Sequence, residues 1–232
     1  MTDGVTVGQN LQVEATVSLG EPAPSGGLEV LLSSARPDQL LLSRSATQVG
    51  SGSIRIPISA GSTRATYYLQ AIENFGTVAT TVSAPGYTTR TGTITLAPSG
   101  VVIGGPPGPP DEAELLRPEA AGAPRGFLAR LSVGSPVPVL VYTVQLDPVS
   151  RRSADITVQP LRAGVSLTAS LRNSNPAIGA LDAASLTIEA GAHTAFTHFT
   201  PLSEGSTLVS VDTPAGFETS ANATGLTVIV TR

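Results

Sequence analysis

The chain carries one pattern twice. VTVGQNLQVEATVSL at 5–19 returns as LSVGSPVPVLVYTVQL at 131–146, and SGSIRIPISAGSTRATYYL at 51–69 returns as AASLTIEAGAHTAFTHF at 183–199. VSAPGY at 82–87 returns as VDTPAGF at 211–217, so the order is kept across the whole unit. Self-similarity at a fixed spacing marks a duplicated structural unit, because each copy must bury its own apolar face. A length of 232 residues then divides into two units, each large enough to bury a core.

Within each copy the apolar residues alternate with polar ones. Leu11, Val13, Ala15, Val17 and Leu19 share one face, while Gln12, Glu14, Thr16 and Ser18 share the other. A period of two with one polar face predicts a half-buried strand. The first copy is read as seven strands near 4–7, 11–19, 28–33, 53–58, 63–70, 76–84 and 88–97. The second has counterparts near 127–133, 137–146, 164–171, 185–189, 194–200, 206–212 and 224–231, with an extra strand near 153–159. With 24 glycines and 19 prolines turns are frequent, and in the first copy turn signals stand at Pro22–Gly27, Gly50–Gly52, Ala60–Gly61, Asn74–Gly76 and Pro85–Gly86. Seven or so short strands per copy predict an all-β chain of two tandem β-sandwiches, which the resemblance given below makes Ig-like, joined by a Pro/Gly-rich linker. The expected boundaries are 1–99 for the first sandwich, 100–126 for the linker and 127–232 for the second. The linker contains GGPPGPP, whose polyproline stiffness suits a semi-rigid spacer between independently folding units. The expected core is Leu11, Val13, Val17, Val30, Ile54, Ile56, Leu69, Val78, Val82 and Leu96 in the first copy. In the second it is Val137, Val139, Val144, Leu167, Leu186, Ile188, Phe199, Val209, Val211 and Val228.

The inventory of reactive groups is short. Cysteine is absent, and the 13 basic residues are all arginine, so Schiff-base and Lys–Asn crosslinking chemistry are excluded. His193 and His198 stand five apart on one predicted strand and therefore point to opposite faces. No Gly-x-Ser-x-Gly motif occurs, and no catalytic residue and no cofactor are expected. Asp111, Glu112 and Glu114 are the candidates for a calcium ion, set against the alternative that they are solvated linker charges. For binding, Tyr68 aligns with His198 and Thr66 with Phe196, which places Phe196 and His198 as an exposed pair on one strand face. Tyr68, Phe196 and His198 are the candidate contact residues, although tryptophan, the usual sugar platform, is absent. A net charge of −4 with no basic stripe argues against nucleic acid as a partner. No apolar run reaches the roughly 18 residues a membrane helix needs, so no membrane insertion is expected.

The segments Ser53–Leu69 with Gly76–Leu96, and Ser185–Phe199 with Gly205–Val230, resemble the bacterial Ig-like (Big-type) tandem repeats of secreted and cell-surface proteins. The resemblance implies a non-enzymatic structural or adhesive module of an exported bacterial protein, acting as stalk, spacer or surface interaction unit. Two alternatives stay open. One is an extracellular fibre subunit joined by β-strand addition, with Gly225–Thr231 as the donor strand. The other is a carbohydrate-binding accessory module of a secreted enzyme. Expected partners are proteins, further copies joined through sheet edges, or a cell-surface glycan. The opening MTDGVTVGQN does not read as a signal peptide, and the expected location is extracellular or at the cell surface, as part of a longer exported chain or as its mature form.

Overall fold

The computed structural model describes residues 3–104, 126–153 and 158–232, and among them the regular structure is all strand. The first unit contains β1 (Thr6–Gly8), β2 (Gln12–Ser18), β3 (Leu28–Ser34), β4 (Leu40–Ser43), β5 (Ser53–Ile58), β6 (Arg64–Ala71), β7 (Thr77–Ser83) and β8 (Arg90–Ala97). The next strand, β9 (Ser99–Gly104), belongs to the second unit. It is followed there by β10 (Gly126–Ser132), β11 (Val137–Gln145), β12 (Leu167–Asn173), β13 (Gly179–Leu181), β14 (Ser185–Ile188), β15 (Thr194–Pro201), β16 (Gly205–Val211) and β17 (Gly225–Thr231).

Each unit is a sandwich of two sheets. The first pairs a sheet ordered β1-β8-β7-β3-β5 with a sheet ordered β2-β6-β4; the second pairs β10-β17-β16-β12-β14 with β13-β15-β11-β9. In the second unit β9, β11, β15 and β13 reproduce the A-B-E-D sheet of the immunoglobulin fold, and β12, β16 and β17 its C-F-G sheet. The last strand of each unit makes a parallel pair, β8 with β1 and β17 with β10. Both units also share an irregularity. After β3 or β12 the chain crosses to the edge of the opposite sheet, as β4 or β13, and then returns to pair with the strand it left, as β5 or β14. Turns correspond as well: Gly61, Gly86, Gly191 and Gly216 all hold left-handed φ of 75°, 80°, 82° and 81°, a region where a Cβ is penalised.

Three sequence expectations change. First, the linker does not begin at residue 100. Ser99–Gly104 is fully buried and pairs antiparallel with β11, from Ser99 opposite Gln145 to Gly104 opposite Leu140. The rest of the expected linker, including Asp111, Glu112 and Glu114, lies outside the described residues. Second, Leu11 is absent from the first unit's core and is fully buried in the core of the second, with Val101, Val141 and Leu161. Third, Val144 lies on the outer side of its sheet, the same face as Leu140 and Tyr142 in the unbroken β11–β9 register, and is buried there in a separate small cluster with Val102 and Leu146. Val13, Ile54 and Val137 line their cores only half-buried, and the remaining expected core residues are buried. The extra strand expected near 153–159 overlaps residues that are not described; Val158 makes an isolated bridge to Val144.

Candidate functional site

Two features of the surface follow from this arrangement. One is the joint between the units; the other is an apolar outer face on the second.

The joint is built from the β1–β2 turn. Asn10 takes a left-handed φ of 62°, which ends β1 and turns Leu11 away from its own sandwich. Leu11 then forms an antiparallel bridge to Leu161. Gln12 N–H donates to Pro160 O at 2.9 Å, and Arg162 N–H donates to Asn10 O at 2.9 Å. Beside this bridge Gln159 is 5% exposed, and its side chain clamps the first unit's backbone. Its Oε1 accepts Gly8 N–H at 2.9 Å while its Nε2 donates to Thr6 O at 2.9 Å. Gly8 allows this closeness, since a Cβ there would stand 2.8 Å from Leu11 Cδ1 and 3.1 Å from Ser99 Cβ. Further polar contacts ring the apolar centre. Asn10 Nδ2 donates to Gly216 O at 3.0 Å, and Asn74 Nδ2 donates to Glu218 Oε1 at 3.1 Å. Glu218 also pairs with Arg151. A second layer comes from the 44–50 loop, held on the first unit by the buried pair Gln12 and Gln70. Gln70 Nε2 donates to Gln12 Oε1 at 3.0 Å and to Gln48 O at 2.9 Å, while Gln70 Oε1 accepts Gly50 N–H at 2.8 Å.

The outer face lies on β11 and β15. Phe196 is 60% exposed and sits opposite Leu140; His198 sits opposite Pro138 and Thr194 opposite Tyr142. Phe196 and His198 are therefore neighbours, as their spacing on one strand implies. Their rings meet edge to face, 5.6 Å apart at 82°, so they do not make the flat platform on which a sugar ring stacks. His198 Nδ1 lies 3.4 Å from Asp182 Oδ2. Tyr68 sits on β6 of the other unit. Its hydroxyl donates to Glu14 Oε2 at 3.0 Å, and that bond holds the phenol above its ordinary range. Burial raises Tyr142 likewise. His193 is exposed in the turn before β15, apart from His198. Among the described residues no three His, Cys, Asp or Glu side chains converge on a point that a metal ion would occupy.

Sequence reasoning missed Leu11, Gln159 and β9 as joint elements. A signal for Gln159 exists only in hindsight: Gln-Pro-Leu at 159–161 stands where the first unit has Glu-Pro-Ala at 21–23. The donor role expected for Gly225–Thr231 is not available, because β17 is paired on both flanks, to β10 and to β16.

No family model matches the chain, and no curated protein matches it. Among solved structures it is similar to the adhesin InvE of Yersinia pseudotuberculosis, at 16% identity over 99% of the chain with a TM-score of 0.33, and it spans 57% of that adhesin's length. It is similar to domains D00–D0 of intimin at 10% identity, covering 100% of this chain and 96% of that one with a TM-score of 0.37. Domains 5–6 of the S-layer protein SbsC give 12% identity, 100% and 95% coverage and a TM-score of 0.32. The Ig-like assignment rests on strand order and register, not on these likenesses.

Proposed function

We propose that the chain is a non-enzymatic structural module of an exported bacterial surface protein, in which two Ig-like sandwiches act as one stiff spacer. The observation that carries the reading is the joint. A flexible tether would leave the units free to reorient, whereas here one unit supplies a core side chain, Leu11, to the other, and only Pro98 separates β8, the last strand of the first unit, from β9 in a sheet of the second. Interfaces between domains in one chain are ordinarily polar and permit motion unless they are large and apolar. This one is apolar at its centre and closed by a buried glutamine. Such a part transmits position and load rather than performing chemistry. The outer face around Phe196 and Leu140 is the surface we assign to protein contact, extracellular or at the cell surface, because Phe196 is largely exposed there and its edge-to-face pairing with His198 offers no continuous flat surface for a sugar ring to stack on. The test is orientation. Residual dipolar couplings measured for both units should fit a single alignment tensor, and Leu11→Ala together with Gln159→Ala should separate them into two. Two unrelated tensors in the unaltered protein would refute the stiff spacer.

A further inference from the structure

Alternation along β8 calls for an apolar side chain toward the core at every second position. Ile94 and Leu96 obey it, and Gly92 is buried in the same phase. Arg90 does not. It stands opposite Val82 in the β7–β8 ladder, and residues directly opposite on an antiparallel pair share a face. Val82 belongs to the first unit's core, so Arg90 takes the inward phase where an apolar side chain would close the end of the sandwich.

Beside it lies a cleft of about 250 Å³. Val17, Val30 and Val82, buried residues of the first core, form its inner lining, and Ala84, Tyr87 and Arg90 line it further out. β2 leaves the joint at Gln12 and ends at Ser18, so a cleft beside Ser18 is at the opposite end of the unit from Leu11. Bonds already made hold it in shape. Tyr87 N–H donates to Ala84 O at 3.2 Å, closing a turn in which Gly86 has a left-handed φ of 80°. The Tyr87 hydroxyl stands 3.3 Å from both Glu21 O and Pro22 O and donates between them, which ties this turn to the loop after β2. Those carbonyls are therefore taken. Serine and threonine supply most of the other polar lining, and no carboxylate lines the cleft. Arg36, Arg55, Arg151, Arg172 and Arg232 each have a carboxylate partner, whereas Arg90 has none among the described residues. Arg90 is also exposed, so an anion reaches it from solvent.

We propose that this cleft binds a small monocarboxylate bearing one apolar group. The apolar group rests on Val17, Val30 and Val82, and the carboxylate takes the guanidinium of Arg90, whose planar fork matches two carboxylate oxygens. Volume sets the size of the guest. The cleft exceeds the roughly 150 Å³ apolar cavity that takes up benzene and falls short of the roughly 300 Å³ at which drug-sized pockets begin. One aromatic ring or a short alkyl chain fits; a lipid tail or an oligosaccharide does not. Charge sets the head group. A single cation matches a single negative charge, so a phosphate monoester, close to dianionic at neutral pH, leaves charge unmatched. A free aryl or alkyl carboxylate and the C-terminal residue of a protein chain share this chemistry. Nothing in the site draws on the joint, which lies at the other end of the unit.

Phenylacetate titrated into the full chain at neutral pH, followed by amide chemical shifts, should give saturable changes at Val82, Ala84, Tyr87 and Arg90. Phenylacetamide, of the same shape without the charge, should bind at least about tenfold more weakly, the effect expected when a hydrogen bond to a charged group is lost. Arg90→Gln should abolish the difference between the two compounds, and Ala84→Leu, which fills the cleft, should suppress both. N-acetylglycyl-phenylalanine separates the sources: binding tighter than that of phenylacetate assigns the site to a chain terminus, and weaker binding assigns it to a free small acid. Equal binding of phenylacetate and phenylacetamide to the unaltered protein would overturn the carboxylate site, as would a preference for phenylacetate that survives Arg90→Gln. Binding that survives Ala84→Leu, or the absence of saturable shifts at these amides, would remove the guest from the cleft altogether.

Discussion

Gln159 carries more of the joint than its size suggests, because it satisfies a donor and an acceptor that are otherwise buried. Its replacement by alanine leaves Gly8 N–H and Thr6 O without partners, a loss of about 1–3 kcal/mol per unsatisfied group. Leu11→Ala removes a fully buried side chain, and a cost of about 2–5 kcal/mol is expected, read by urea denaturation as destabilisation of the second unit although the residue lies in the first. A shift confined to the first unit's probes would show that Leu11 belongs where alternation places it. Alternation alone does place it there, since Leu11, Val13, Ala15, Val17 and Leu19 form an unbroken period of two. What redirects Leu11 is the left-handed turn at Asn10, in the gap between the two expected strands, and nothing in the local pattern tells which core receives the residue after that turn. The same turn explains why matching Val5–Leu19 with Leu131–Leu146 by sequence is two residues out of register here: Gly8 looks like Gly134, but the backbone puts Asn10 on Gly134. A third residue governs an exposed loop. Asp147 accepts the backbone N–H and hydroxyl of Ser150 and the N–H of Val149, and these bonds hold its carboxyl below the usual aspartate range. A depressed folded pKa means the stabilisation is present above the ordinary aspartate value and is lost as pH falls through the folded one. The loop's amide protection should therefore fade only below the pH at which a free aspartate protonates, and Asp147→Asn should make it insensitive to that titration.

β9 illustrates what one-sided patterning can and cannot reveal. A strand with one wet face alternates, and β2, β5, β7, β12 and β14 were legible for that reason. Ser99–Gly104 is buried on both faces, so it reads as a short apolar run, and the Gly-Gly-Pro-Pro after it reads as a linker. β4 and β13, of 4 and 3 residues, are too short to establish any period. The missing elements are thus edge strands of the β2-β6-β4 and β13-β15-β11-β9 sheets, which is why sequence described two separable units. The consequence is testable on fragments. A fragment of residues 126–232 lacks β9 and leaves β11 with an open edge and with the positions of Val101 and Ile103 empty; it should fail to give a cooperative transition. A fragment of residues 98–232 restores the A-B-E-D sheet and should fold, though less stably than in the full chain because Leu11 is absent. Equal stability of the two fragments would mean that β9 contributes nothing to the second core. Within the full chain, Ile103→Ala should cost about 2–5 kcal/mol.

At the scale of the molecule the question is whether two sandwiches behave as one. Their coupling free energy is what either one loses when the other unfolds, the same quantity seen from both sides. The Leu11 cavity, about 2–5 kcal/mol, and the orphaned partners of Gln159, about 1–3 kcal/mol each, together rival a sizeable part of the 5–15 kcal/mol that stabilises an ordinary domain. A coupling of that size exceeds any modest difference in intrinsic stability between the units, so the less stable one is carried by the other. Hydrogen exchange across a urea series should accordingly show β7 and β8 opening in the same transition as β16 and β17. Leu11→Ala with Gln159→Ala should split that transition in two without altering the native exchange pattern of backbone far from the joint, such as β13 and the Gly134–Pro201 contact. The two changes share one interface, so their effects should not add: once Leu11 is truncated, the bridge at Leu161 loosens and Gln159 has less backbone to hold. Two separate transitions in the unaltered protein, unmoved by the double variant, would return the chain to two beads on a tether.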